Sequence, residues 1–470
     1  MKHTYENGNV TVTIDDTDGT RVCCTDDDEF KFKFPTNIDV TISHKCDNGC
    51  PYCYLGCTED GEFGDIMGAK FIETLHPYTE LAFNLNFPCH PYIIPWLNKI
   101  KDQKVFANAT VSQKHFMEHE SFISQLVNAK LIYGLGVSYN FDISDEFIKR
   151  IKKYPNAVIH VIAGAVCPED LDYLARNGLK ILILGYKEQG RGIDYINKFP
   201  QHIRDNLKWL ESGIMDMINE FKVVSFDNLA VEQLNIKDKL PKSMWEQFYH
   251  GDDGSSTFAI DIVDQTYSIS SSDTELTWQI EDNIDDMFMN VRCGVTNREE
   301  ILYNRGLLNK YPFMKLADFM GNPADTIDFT SLDDIPVGWK KCFGELLCED
   351  LDKVIPDHLK DTFYFVQTKE KYGQLTAYPN MYPDGVEDIL SDYAYISSHV
   401  CACCGKVGVP QTGGWILPLC KEHWTDGRAF PDDYEFLPEY SYYTYQAGKD
   451  KKKITRDVSY IVNRIKPEFR

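Results

Sequence analysis

Cys46, Cys50 and Cys53 stand at spacings of x3 and x2, with Tyr52 just before the last of them and Cys57 close behind. Three thiolates on one short loop can hold three irons of a [4Fe–4S] cluster and leave the fourth iron open to another ligand. With Cys57 included, the same thiols also suffice for a closed zinc site, or for a fully ligated cluster that does no catalysis. A second group lies far downstream, Cys401-x2-Cys404-Gly405 followed by Cys420-x2-His423. Two pairs of soft ligands make a closed tetrahedral Zn2+ site, which is structural. Cys403 has the wrong spacing for it. The chain has 15 cysteines, and most of those outside the two groups read as small buried hydrophobes.

The chain around these groups has 470 residues, 43% of them hydrophobic, which is enough for packed cores and excludes a mainly disordered chain. No apolar run approaches the roughly 20 residues of a membrane helix. The first residues, Met1 to Asn7, lack the pattern of a signal peptide. A cytoplasmic location without membrane contact is expected, and there clustered cysteines mean metal or catalysis rather than disulfides. With 48 basic and 72 acidic residues the net charge is −24, so wrapping of nucleic acid is disfavoured.

The elements that must position the first group read as alternating strands and helices. Residues 1–35 form a β-ribbon, with Val10, Val12 and Ile14, a turn near Asp18-Gly19, Val22, and a run at Phe30, Phe32 and Phe34. Strands are expected at Ile38–Ile42, Glu80–Asn84, Val105–Thr110, Leu131–Ser138, Ala157–Ala163, Lys180–Leu184, Lys222–Phe226 and Thr257–Val263. Ser144-Asp145-Glu146 and Pro168-Glu169-Asp170 open helices between them. Alternation at this spacing predicts an α/β fold with a parallel sheet over residues 36–275, a partial or full (β/α) barrel. An acidic connector at 276–310, an α+β zinc-binding domain at 311–447 and a basic tail at 448–470 complete the expected organisation.

Cys46-x3-Cys50-x-Tyr52-Cys53, placed after the first strand, resembles the motif of the radical S-adenosylmethionine (radical SAM) superfamily. The resemblance covers roughly residues 36–270 and implies a [4Fe–4S] cluster held by the three cysteines. S-adenosylmethionine would chelate the open iron, and its reductive cleavage would yield a 5′-deoxyadenosyl radical that abstracts hydrogen from a substrate. It also implies a reducing partner of the flavodoxin or ferredoxin type. The family ends its second strand with Gly-Gly-Glu-Pro; here Asn84, Asn86 and Pro88 stand in that stretch, without the glutamate. Backbone carbonyls, or Asn84 or Asn86, would then hold the cofactor amine, unless both side chains merely cap the strand end. By position, Ser138 and Asn140 would meet the ribose, and backbone at Gly164 and Gly185 the adenine.

The carboxyl ends of barrel strands carry the chemistry. Substrate candidates there are Asn108, Gln113, Lys187, Arg191, Asp227 and Asn228, with Asp261 on the last strand. Each also reads as a solvated loop residue. Lys187 and Arg191 in a glycine-rich loop suggest an anion site, and the substrate class stays open between small molecule and peptide. The region from Val337-Gly338-Trp339 to Trp415 and His423 resembles a small zinc-containing domain of bacterial and phage proteins. Acids at Asp432, Asp433 and Glu435 argue against nucleic acid there. The competing class is a non-catalytic iron–sulfur or zinc-binding protein on the same fold.

Overall fold

In the first long strand, Ile38 and Val40 are buried while Asn37, Asp39 and Thr41 are not. That alternation of burial repeats along the sheet; the less buried face is polar at Asn37, Asp39 and Thr41 but apolar farther along, at Leu182 and Leu184. The computed structural model describes residues 1–470 except 18, 141–143, 250, 319, 325, 412–415, 426, 432–436 and 448–451. Asp18, Trp415, Asp432, Asp433, Glu435 and the start of the basic stretch, residues 448–451, thus lie outside the described residues. Two compact units divide the chain, Met1–Thr296 and Asn297–Arg470.

The first unit opens with an antiparallel sheet of β1 (Lys2–Asn7), β2 (Val10–Asp15) and β3 (Arg21–Cys24). Val10, Val12 and Ile14 are buried on its inner face. Phe32 and Phe34 are buried too, but from a loop rather than a strand. That loop is held by Asn7, whose amide donates to the Phe34 carbonyl and accepts from the Lys33 and Phe34 amides.

Eight parallel strands follow: β4 (Asn37–Thr41), β5 (Glu80–Asn84), β6 (Phe106–Ser112), β7 (Gly134–Ser138), β8 (Ala157–Ile162), β9 (Lys180–Leu184), β10 (Val223–Phe226) and β11 (Thr257–Asp261). Antiparallel β12 (Thr266–Ser268) and β13 (Thr277–Gln279) extend the same sheet. Its order is β10-β9-β8-β7-β6-β5-β4-β11-β12-β13. Among the described residues no ladder joins β10 to β11, so ring closure is not seen.

Helices α1 (Ile93–Asp102), α2 (Gln113–Asn128), α3 (Asp145–Ile151), α4 (Pro168–Arg176), α5 (Arg191–Lys198) and α6 (Pro200–Met217) connect β5 through β10. Ser112 and Ser144 cap α2 and α3 through their hydroxyls, as short polar side chains do at helix starts. After β10 come α7 (Asn228–Gln233), α8 (Ile236–Lys239) and α9 (Lys242–Phe248).

The acidic stretch expected as a connector is instead the start of a helix, α10 (Ile284–Lys310), with Asp285 and Asp286 in its first turn. Acids favour that end because the helix dipole is positive there. Residues 277–279 before it belong to the sheet. Backbone at Asn297 is non-helical, and the two units divide at that residue. No described helix is long and apolar enough to cross a membrane.

The second unit packs α11 (Glu345–Val354) and α12 (Val386–Ser397) with a hairpin of β14 (Phe365–Lys371) and β15 (Gln374–Pro379). Tyr372 and Gly373 both take positive φ in its two-residue turn. Short strands β16 (Val409–Pro410) and β17 (Pro418–Leu419) pair farther on. A last hairpin joins β18 (Tyr442–Ala447) to β19 (Lys452–Asp457), followed by α13 (Ser459–Val462).

The described part of the basic stretch is therefore built into the fold, with Ile461, Val462 and Ile465 in the core. Two buried carboxylates draw it in. Asp392 of α12 accepts from both sides of the Arg456 guanidinium and from the hydroxyls of Tyr443 and Tyr460 at 2.9 Å. Asp350 of α11 accepts from Arg464 at 2.7 and 2.8 Å and from Tyr393 at 2.7 Å. Removing one partner of a buried ion pair strands the other. Asp392→Ala is expected to destabilise the second unit by about 3 kcal/mol, read as an earlier urea midpoint in fluorescence and circular dichroism. An unmoved midpoint would mean that the network holds nothing together.

Candidate active site and metal centres

Residues 46–57 form the loop after β4, and Cys46, Cys50, Cys53 and Cys57 all line a cavity of about 1190 Å³. Every one of the eight parallel strands also contributes to the wall of that cavity, so the sheet curves around it. Neighbouring backbone anchors the loop at both ends. The Cys46 amide donates to the Thr58 carbonyl at 2.8 Å, and Asp47 donates to the Phe87 carbonyl at 3.0 Å. Asn84 bonds to β4 and its exit through both ends of its side chain, accepting from the Ile42 amide at 2.9 Å and donating to the Ser43 carbonyl at 2.7 Å. Asn86 donates to the same carbonyl at 3.2 Å and reaches Cys57 Sγ at 3.8 Å. Both asparagines thus steady the cysteine loop.

A second clasp comes from the segment after β9. Arg191 donates through Nε to the Cys50 carbonyl at 2.8 Å and through its guanidinium to the Cys57 carbonyl at 2.6 Å. Its amide donates to the Cys53 carbonyl at 3.0 Å. Gly190 precedes it with φ +50°, and a Cβ there would meet the Tyr54 carbonyl oxygen at 2.5 Å. Only glycine lets the two backbones approach this closely.

Among the described residues, the groups whose ligand atoms all lie within 4.8 Å of one another are Cys401, Cys404, Cys420 with His423, and His44, Asp261 with Asp264. No three of Cys46, Cys50, Cys53 and Cys57 form such a group. Tetrahedral zinc with bonds of 2.3 Å sets sulfurs about 3.8 Å apart. The wider spread of the first loop suits a multi-iron cluster better than a single ion. Burial raises the pKa of Cys46 and Cys50. A hydrogen bond from the Cys57 thiol draws Cys53 down to about 6, with Arg191 acting in the same direction. Cys57 itself is pushed up by donating that bond. The amides of Asn48 and Asn140 donate to Cys50 Sγ at 2.7 and 3.7 Å.

Tyr52 lines the cavity and meets the Tyr195 ring edge-on at 5.8 Å. Ser138 and Asn140 line it too, on one face of β7 and its exit. Asn140 exchanges two hydrogen bonds with Gln113, at 3.1 and 2.9 Å, so the two hold each other beside Cys50. Gly185 is at the wall, its amide bonded to Asp227 and its missing Cβ making room for Leu229. Gly164 is placed elsewhere. A Cβ there would meet Ile203 and Leu207 of α6, and its carbonyl accepts from Asn206.

The substrate candidates divide. Asp227 caps α7 through the Ala230 amide at 2.7 Å, and Asn228 donates to Asp253 at 2.6 Å. Asn108 donates to Glu80 at 3.2 Å on the inner face. Lys187 is enclosed, donating to Ser271 at 2.7 Å and lying 4.0 Å from the Tyr54 ring centre. Asp261 pairs with His44 at 2.8 Å, which raises the imidazole pKa. Three wall residues, Asp39, His160 and Trp245, are absent from the expectations above. Asp39 was signalled by the alternation Asn37-Ile38-Asp39-Val40-Thr41, a polar inner row in an apolar strand.

In the second unit Cys420 Sγ lies 3.2 Å from His423 Nδ1 and Cys404 Sγ 3.7 Å from Cys420 Sγ. Cys401 Sγ lies 3.8 Å from the same imidazole nitrogen. Gly405 turns the knuckle with φ +83°, and Cys403 is exposed and outside the group. These separations match the edges of a tetrahedron around one zinc.

No family model and no curated protein matches the chain. Among solved structures, Streptococcus suis SuiB bound to precursor peptide SuiA is 12% identical, with 63% of this chain and 90% of that one covered and a TM-score of 0.42. SuiB bound to S-adenosylmethionine aligns over 63% and 88% at the same identity and score. Native anSMEcpe with bound AdoMet is 12% identical over 55% and 80%, with a TM-score of 0.34. These are likenesses of low identity and low score. The chain's resemblance to the radical SAM superfamily rests on its own motif, Cys46, Cys50, Tyr52 and Cys53.

Deleting a buried hydrogen-bonding side chain that leaves its partners unpaired costs about 1–3 kcal/mol. In metal-free protein, Cys57 is expected to react with iodoacetamide more slowly than Cys46, Cys50 and Cys53. Asn84→Ala is expected to narrow that gap severalfold. Equal rates in the two proteins would show that Asn84 does not steady the loop.

Proposed function

We propose that the chain is a radical SAM enzyme, acting on a small molecule or a peptide side chain. The observation that carries this reading is a set of three thiols on one loop, too spread for a single ion, at the mouth of a cavity walled by eight parallel strands. Cys46, Cys50 and Cys53 would hold a [4Fe–4S] cluster, with Cys57 supporting Cys53 rather than ligating. When bound, the cluster and S-adenosylmethionine supply one-electron cleavage of the sulfonium and hydrogen abstraction by the adenosyl fragment. The chain's own residues do the rest. Arg191, Asn84 and Asn86 hold the loop in place, Gln113 and Asn140 fix the wall beside Cys50, and the cavity excludes bulk water from the reacting centre. We assign the cofactor's ribose side to Ser138 and Asn140 and its adenine side to Gly185. The amine falls to backbone, since Asn84 is already bonded at both ends. A flavodoxin- or ferredoxin-type donor in the cytoplasm would supply the electron.

Anaerobic reconstitution with iron and sulfide is expected to give a brown, air-bleached protein that forms 5′-deoxyadenosine from S-adenosylmethionine and dithionite. Cys50→Ala is expected to lose cluster and product, while Cys57→Ala keeps both. An intact cluster that yields no product would leave a non-catalytic binding protein in its place.

For the second unit we infer a structural Zn2+ at Cys401, Cys404, Cys420 and His423. Its sulfurs sit in a small apolar cluster with Ala402 and Leu419. Elemental analysis is expected to find about one zinc per chain, by the ligand count of a closed site. Cys420→Ser should lose it and Cys403→Ser should retain it. Zinc retained by Cys420→Ser would overturn the assignment.

A further inference from the structure

The interior of a (β/α) barrel is ordinarily filled by layers of large side chains. Here the inner face carries Ala82, Gly134, Gly136 and Ala259. Asp39 sits in register with Ala82 on one side and Ala259 on the other. Open space therefore flanks this carboxylate on both neighbouring strands. Although the Asp39 side chain has much accessible surface, protein surrounds it, and that surface belongs to the cavity.

The charges of the chamber are unequal. Arg21 is taken by Glu80 at 2.8 Å and by the Thr36 carbonyl, and Arg191 by the carbonyls of the cysteine loop. Lys187 is the cation nearest these carboxylates; burial lowers its pKa, and Asp39, Asp227 and Asp253 act against that. Arg191 keeps its charge, since carbonyls are neutral, so three carboxylates stand against two cations and leave an excess of one negative charge. Burial raises the pKa of Asp39 and of Asp227, so a cationic partner would relieve both. Asp227 spends one oxygen on two amides, and Asp253 spends one on Asn228. Asp39 accepts a long hydrogen bond, 3.4 Å, from Asn37 two residues before it.

His160 adds an independent sign of a ligand. Its imidazole is enclosed, lines the cavity, and among the described residues has no hydrogen-bond partner. Burial holds its pKa down at about 4, so it stays neutral and leaves the charge excess unrelieved. Near the β10 end of the wall, Trp245 of α9 stacks on Tyr249 with ring centres 4.1 Å apart. Carboxylates together with aromatic faces are the surroundings that hold an organic cation.

We propose that this chamber takes a substrate bearing a protonated amine or guanidine, its cation seated at Asp39 beside the Lys187–Asp227–Asp253 group and its polar remainder within reach of His160. This deepens the proposed function and rests on it for the chamber's being the substrate site. It also reverses the anion site suggested by Lys187 and Arg191.

The test uses the full-length, anaerobically reconstituted protein and calorimetric titration with three probes of similar length: Nα-acetyl-lysine methylamide, its Nε-acetylated form and Nα-acetyl-glutamate methylamide. The lysine probe is expected to bind at least about tenfold more tightly than either of the others, as an unpaired enclosed carboxylate demands. It should bind equally with S-adenosylmethionine present, and Asp39→Asn should erase the preference. A glutamate or acetylated probe that binds as well overturns the proposal. So does displacement by S-adenosylmethionine, or an unchanged preference in a folded Asp39→Asn protein. Should that variant fail to fold, the ranking on the unsubstituted protein decides alone. Measuring 5′-deoxyadenosine in the same preparations separates the two readings. Cleavage without a cation preference sinks the chamber assignment only; a cation preference with an intact cluster and no cleavage sinks the radical reading only.

Discussion

Arg191 is the residue on which the geometry of the cysteine loop depends. A loop carrying four cysteines within twelve residues has few side chains left to bury, so its shape must come from backbone hydrogen bonds. Arg191 supplies three of them, its amide to the Cys53 carbonyl and its guanidinium to those of Cys50 and Cys57, which the planar fork can reach together because it presents several donors at fixed angles. A lysine would offer one point charge and no fork. Gly190 makes the approach possible, since any larger residue would press on the Tyr54 and Cys53 carbonyls. The clasp and the cysteines therefore form one unit, although about 140 residues of chain separate them.

What holds that unit in place is the contrast between the two faces of the sheet. On the outer face Ile38, Val40, Leu81, Phe83, Val137, Ile159 and Ile181 are buried against the helices. Burying each such side chain contributes about 1.5–3 kcal/mol. Around Asp39 the inner face places small and polar residues where a filled barrel would put branched apolar ones, whereas Val158, Ile162, Leu182 and Leu184 keep it apolar on β8 and β9. Polar groups so enclosed are costly unless paired, which accounts for the pairing of Arg21 with Glu80, Gln113 with Asn140, and Lys187 with Ser271. Asp39 and His160 depart from that rule, and departures of this kind collect at functional sites.

The parallel strands were legible because period-two alternation and short β-rich runs between helices survive in the sequence. Ile38–Ile42 and Lys180–Leu184, for instance, fall within a residue of β4 and β9. The cysteine groupings were legible because short spacings such as Cys401-x2-Cys404 and Cys420-x2-His423 bring their side chains together in space. Roles that depend on long-range contact were not. Arg191 looked like a free loop charge because nothing local shows that its partners are carbonyls far up the chain. Asn84 looked like a cofactor ligand for the same reason. The basic stretch after 448 looked solvated because the acids that draw in Arg456 and Arg464 sit on helices far from it in sequence.

The two cysteine groups show how one ligand type is turned to different ends by separation alone. At Cys401, Cys404, Cys420 and His423 the ligand atoms stand at the edge lengths of a single tetrahedron, beside a small apolar cluster with Ala402 and Leu419. Such a site has no position for a reactant and contributes to folding instead. The loop at Cys46, Cys50 and Cys53 is built the opposite way. Its sulfurs are spread along a cavity wall, and the fourth thiol, Cys57, is the most buried of them, near the Ser43 carbonyl and the Asn86 amide. An open coordination position facing enclosed space is the condition for chemistry at a metal, and on the proposed reading backbone contacts, rather than a change of ligand type, would provide it here.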